Sequence, residues 1–172
     1  MKESNINQEY EEFIRRAYEM GATDAKIIKT SSVVTAAWVR LKCQYGCERY
    51  NNSPCCPPQS PAPAETRAVL DGYENALFIH CIGDVNSNSI VKRLEREIFL
   101  SGFHKAFGMT AGPCTICKKC NPEKCNRPDI ARPAMEACGI DVYATARGNG
   151  FPIEVVKDRT SPQNYYTLIL IE

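Results

Sequence analysis

The chain has 172 residues, long enough for one domain whose buried core needs no disulfide staples. With 44% hydrophobic and 24% charged residues, and no apolar run approaching the roughly 20 residues of a membrane helix, the composition is that of a soluble globular protein and excludes a membrane span. A net charge of +1 offers no extended nucleic-acid surface, and the start MKESNINQEYEEF has neither an apolar targeting core nor a cleavage site, so a cytoplasmic location is expected.

Residues 1–24 predict an N-terminal amphipathic helix, with Tyr10, Phe13, Ile14 and Ala17 at helical spacing, a cap at Asn7 and a stop at Gly21. AKIIKT (25–30) and TAAWVRLKC (35–43) then read as strands, the second ending where a first cysteine loop, 43–58, leaves the sheet. Prolines close that loop. AETRAVLDGY (64–73) reads as a short helix, and ALFIHC (76–81) as a central strand covered on both faces. The strongest helix signal spans 88–107. It places Val91, Leu94, Ile98 and Phe99 on one side, spaces Arg93 and Glu97 for an ion pair, and stops at Gly108.

A second cysteine loop, 112–128, follows, where Pro113, Pro122 and Pro128 resist regular structure. RPAMEACG (132–139) and DVYATARG (141–148) predict two short helices, the first started by Pro133 and the second capped by Asp141. PIEVVK (152–157) and YYTLILIE (165–172) predict closing strands. The sum is an α+β fold in a single domain, 1–172: a mixed sheet of about five strands covered by helices, with two cysteine-rich metal-binding loops.

Ten cysteines dominate the chemistry. In a reducing cytosol, clustered thiols bind metal or do redox work more often than they form structural disulfides. Cys114, Cys117, Cys120 and Cys125 spell C-x2-C-x2-C-x4-C, and three thiolates at three-residue steps let one loop surround a compact object. A [4Fe-4S] cluster suits that geometry, the bacterial ferredoxin run being one residue shorter before its last cysteine. Zinc is the alternative, although its sites usually pair two separated hooks, whereas here all four thiols share one.

The first group, Cys43, Cys47, Cys55 and Cys56, contains an adjacent pair whose side chains diverge, so one of the two faces the site. Three thiolates leave one iron open to substrate; recruiting Cys55, Cys81 or Cys138 closes it. Cys138 reads equally as a ligand or a small buried hydrophobe, and Cys81 as a buried residue of its strand. His80 and His104 lie outside both groups and read as structural or surface residues. Lys118, Lys119, Lys124, Arg127 and Arg132 crowd the second group, where they offset cluster charge and steer an acidic partner, or form a solvated basic loop.

CQYGCERYNNSPCCPP, LEREIFLSGFHKAFGMTAGPCTICKKC and RPAMEACGIDVYATARGNGFPIEVV resemble a family of predicted metal-binding proteins, domain of unknown function 2284, of anaerobic archaea and bacteria. The similarity runs from about residue 25 to the C-terminus. It implies that Cys43, Cys47, Cys56, Cys114, Cys117, Cys120, Cys125 and Cys138 are the ligands, and sets Cys55 aside. It implies metal and no reaction.

The expectation is an iron-sulfur protein binding one or two [4Fe-4S] clusters and exchanging electrons with a redox protein partner. Two alternatives stand beside it: an enzyme with an open iron at the first cluster, and a structural zinc-binding interaction module. No catalytic residue is assigned. On this reading Cys117→Ala abolishes the second cluster, while Cys55→Ala leaves metal content largely intact.

Overall fold

A computed structural model describes residues 2–158 and 160–172. Helix α1 (Lys2–Glu19) presents Tyr10, Phe13 and Ala17 to the core at helical spacing, and Gly21 (φ 99°) turns the chain into strand β1 (Asp24–Lys29). The helix begins before the expected cap at Asn7, because its first turn runs on from Lys2. Helix α2 (Ala37–Gly46) and helix α3 (Pro63–Leu70) precede strand β2 (Asn75–Ile82). Helix α4 (Ser87–Leu100), strand β3 (Phe107–Met109), helix α5 (Val142–Gly148) and strand β4 (Asn164–Leu170) complete the order.

Among the described residues the sheet has four strands in the order β1-β2-β4-β3, and every pairing in it is antiparallel, so the expected mixed sheet of about five strands is corrected on both counts. β2 lies inside it, with Ala76 through Cys81 all buried. Alternation splits the core into two layers. Leu77, Ile79 and Cys81 pack under α1 and α4 with Phe13, Leu94 and Ile98. Ala76 and Phe78 face the opposite way, against Met135, Ile140, Phe151, Tyr166 and Leu168. His80 shares that second face, stacked on Tyr166 at 4.6 Å with its Nε2 2.7 Å from Asn164 Oδ1, and so has a structural place.

Other expectations fail for identifiable reasons. Residues 37–46 form a helix where a strand was expected: only Val39 is fully buried, and the alternating look of AAWVRLK comes from exposed apolar residues such as Trp38 and Leu41. Residues 152–157 join no strand; Pro152 has no N–H to give a ladder, and Tyr166 Oη donates to its carbonyl instead. The helix expected over 132–139 shrinks to a 3-10 turn at Glu136–Cys138. α4 ends at Leu100 rather than at Gly108, Phe99 faces out, Ile90 takes the buried place, and Glu97 pairs with Arg16 of α1 (2.9 Å) instead of Arg93.

Gly108 instead sits inside β3. A Cβ there would lie 2.7 Å from Glu95 Oε2 and closer still to Val91, so only glycine lets this short strand pass beneath α4. Among the described residues, no helix is long and apolar enough to cross a membrane.

Candidate metal centres

Both cysteine groups hang from the same side of this frame. Cys43 lies in the last turns of α2 and Cys47 directly follows the helix, so the first group starts on a helix rather than in a loop. α2 is held in place by Arg40, whose Nη1 donates to the carbonyls of Pro61 (2.9 Å) and Ala137 (2.9 Å). Ser60 Oγ reinforces the junction with a bond to the same Ala137 carbonyl (2.6 Å). One guanidinium thus ties together α2, the 47–60 loop and the 136–138 turn.

Cys56 is buried, its backbone N donating to Ser53 O at 3.0 Å. Burial pushes the Cys56 thiol up, and Cys47 and Cys43 push it further, so these three sulfurs share one neighbourhood. Burial likewise raises Cys43, followed by the influence of Cys47. A cavity of about 750 Å³ opens beside them, with Trp38, Lys42, Cys43, Cys47, Glu136 and Tyr143 in its wall. That is the size of a small-molecule site.

The sequence reading did not single out Glu136. Its Oε2 is buried with no hydrogen-bond partner, and desolvation pushes the carboxyl up. The only sequence signal was a lone charge among the small and apolar residues of PAMEACGI. Cys138, two residues on, is fully buried, and its thiol is pushed up to about 12 by burial. The charges that act on it are Arg40 and Glu136, both of which also act on Cys43. Cys81 lies in the α1–α4 core layer, away from either group.

The second group is positioned by the start of α4 and by β3. Asn88, in the first turn of α4, clamps the loop by accepting from Ala111 N (3.0 Å) and donating to Ala111 O (3.1 Å). The positive end of the α4 dipole therefore lies on the side from which the thiol loop departs. At the loop's far end Arg132 Nε donates to Glu95 Oε2 at 2.7 Å, and the guanidinium lies over Phe107 at 5.3 Å. Both partners of this ion pair are largely buried, so Arg132 is an anchor between loop and helix and not a free surface charge.

Arg127 pairs with Asp129 (3.0 Å), whereas Lys118, Lys119 and Lys124 are exposed and make no ion pair among the described residues. Between these anchors, residues 112–128 carry no helix or strand.

Cys114, Cys117, Cys120 and Cys125 line one small cavity, and Cys55 lines it with them. The Cys55 thiol is pushed up to about 12, by burial first and then by Cys114 and Cys125. The residue set aside on the sequence thus stands against the second group, while its neighbour Cys56 stands against the first.

The donor chemistry is all soft sulfur at the second centre, and sulfur with one carboxylate at the first, which suits zinc or iron-sulfur chemistry. Space is the constraint: the volume enclosed by the five thiols is about 10 Å³, the room of one water. Nor, among the described residues, do any three His, Cys, Asp or Glu side chains gather as a single ion requires. Taking up metal therefore requires the 112–128 loop to rearrange, and it has no backbone ladder to break in doing so.

The model of the family described as predicted metal-binding protein (DUF2284) matches residues 26–171. The chain belongs to that family. No curated protein and no solved structure matches it. The two histidines stay apart from the thiol groups: His80 is buried in the sheet and His104 lies in the turn after α4.

Proposed function

We propose that the protein is an iron-sulfur protein holding a [4Fe-4S] cluster at each of its two thiol groups and exchanging single electrons with an acidic redox protein. The observation that carries this reading is the second centre. Five thiols line one small cavity, and the loop that bears four of them presents Lys118, Lys119 and Lys124 to solvent without ion-pair partners among the described residues. Unpaired cations around a redox centre steer an anionic partner, in a manner that weakens with salt. A cluster bound there supplies reversible one-electron chemistry, its potential set by its ligands and their surroundings. All ten cysteines are free thiols, which agrees with a reducing, cytoplasmic setting.

A second reading has its own observation. The cavity of about 750 Å³ reaches Cys43 and Cys47, so a small molecule can approach the first centre while the second is enclosed. On this reading the first cluster keeps an iron position open to substrate.

The deciding experiment is iron, zinc and acid-labile sulfide per chain on anaerobically purified protein, with electron paramagnetic resonance after dithionite reduction. The expected result is about eight iron and eight sulfide per chain, two cubanes of four. Stoichiometric zinc without sulfide overturns the reading in favour of a structural zinc module. Adding cyanide as a small exogenous donor separates the two roles: a shift confined to one signal supports the open first centre, and an unchanged spectrum supports electron transfer alone.

A further inference from the structure

The two thiol groups meet at one dipeptide. Cys55 is half-buried and lines the cavity of the second group together with Cys114. Cys56 is buried and stands in the field of Cys43 and Cys47. The loop around them is fixed by its own backbone: Cys56 N donates to Ser53 O (3.0 Å), Ser60 N to Cys56 O (3.1 Å) and Asn51 N to Pro57 O (2.7 Å). The divergence of the two side chains is thus built into an anchored turn and does not depend on a mobile tail.

We propose that Cys55 is a metal ligand of the second centre and Cys56 a ligand of the first, so that a single peptide unit joins the two centres. The inference rests on the thiol groups being the metal sites, and it reverses the role that the sequence gives Cys55. A cubane takes four thiolates and the second group presents five, so one is dispensable. In two-cluster ferredoxins the first three cysteines of the run share a cluster, and the fourth belongs to the other one. The run here is one residue longer before its last cysteine, and a remote thiol, Cys55, already lines the same cavity as Cys114. Cys55 with Cys114, Cys117 and Cys120 therefore makes the set of four, and Cys125 is the dispensable thiol.

Adjacent Cα atoms lie about 3.8 Å apart, so ligands on neighbouring residues bring two centres within magnetic reach of each other. Cys114, in turn, acts on Cys56 as well as on Cys55, as such adjoining groups require.

The test uses full-length protein loaded anaerobically, with Cys55→Ala, Cys56→Ala and Cys125→Ala compared with the parent. Iodoacetamide labelling with peptide mass spectrometry is the first readout, because it is independent of which metal is bound. Cys55 is half-buried, so chelated protein alkylated in denaturant sets the reference for full modification. Metal is expected to protect Cys55 from alkylation, and chelation to expose it.

Iron in Cys55→Ala is expected to fall from about eight to about four per chain, with Cys125→Ala unchanged. The dithionite-reduced parent is expected to show a spectrum broadened by interaction between two centres, which collapses to an uncoupled signal in either Cys55→Ala or Cys56→Ala. Far-UV circular dichroism and Cys55→Ser, which keeps an oxygen donor in place, separate lost ligation from lost folding.

Equal labelling of Cys55 with and without metal overturns the proposal, as does iron loss in Cys125→Ala with none in Cys55→Ala. Zinc without sulfide in the parent would overturn the iron-sulfur reading while leaving the labelling result on Cys55 intact.

Discussion

A thiol is a weak ligand until it loses its proton, and here the protein works against that loss. Burial and neighbouring sulfurs raise Cys43, Cys56 and Cys55, the last to about 12, against an ordinary thiol value of 9.0. At neutral pH these groups are therefore protonated in the metal-free fold, and each metal bond must displace a proton. The sign follows: affinity falls as pH falls, by about tenfold per unit for each proton released. Adding zinc to metal-free protein in weak buffer at pH 7 is expected to release nearly one proton for every thiol bound, read with an indicator dye. Release well below one per thiol would show that the thiolates are preformed and that the pocket favours their charged state. The same competition holds for Cys138, which must also give up a desolvated proton to serve as a ligand.

The next scale up is the set of elements that hold those thiols, and here one side chain dominates. Arg40 reaches carbonyls from two segments outside α2, and Ser60 Oγ, which accepts from Arg40 and donates to Ala137 O, joins the same three pieces. Arg40→Ala is expected to destabilise the fold by about 2 kcal/mol, the worth of charge-assisted hydrogen bonds, and to release metal from the first centre while the second keeps its own. Urea unfolding alongside iron content per chain checks both; equal loss from the two centres would mean that Arg40 supports the whole domain. Arg40→Lys is expected to recover only part, because an ammonium lacks the guanidinium's fixed fork.

Much of this scale was legible in the sequence. α1, α4, β2 and the Asp141 cap of α5, whose carboxylate accepts from Ala144 N at 2.9 Å, all announce themselves through periodicity or capping chemistry. α2 does not, because a helix buried chiefly through Val39 has almost no apolar stripe to read. β3 is three residues built around a glycine, too short for any pattern. The cysteine run identified itself by spacing, whereas the placement of Cys55 depends on how a distant turn lies against that run, which no local pattern encodes.

At the scale of the molecule, the core and the metal loops are separate structures. Neither apolar layer takes a residue from 43–62 or from 111–133; one is built from the sheet, Val33, Leu70 and the 134–153 segment, the other from the sheet, α1, α4, Ala22 and Ile171. Small zinc domains unfold when stripped because their metal stands in for a core. This chain has its core already, so chelation is expected to leave the far-UV spectrum and a cooperative thermal transition in place while freeing the loops alone. Lys118, Lys119 and Lys124 then become the sites at which trypsin first cuts, because they lie in a segment with no backbone ladder to protect them. Metal-loaded protein is expected to resist at those same bonds. Loss of the transition on chelation would instead show that the thiol loops carry the stability of the fold. If the two forms were cut equally, the 112–128 segment would not be gaining its order from metal, and the second centre would lose its main support.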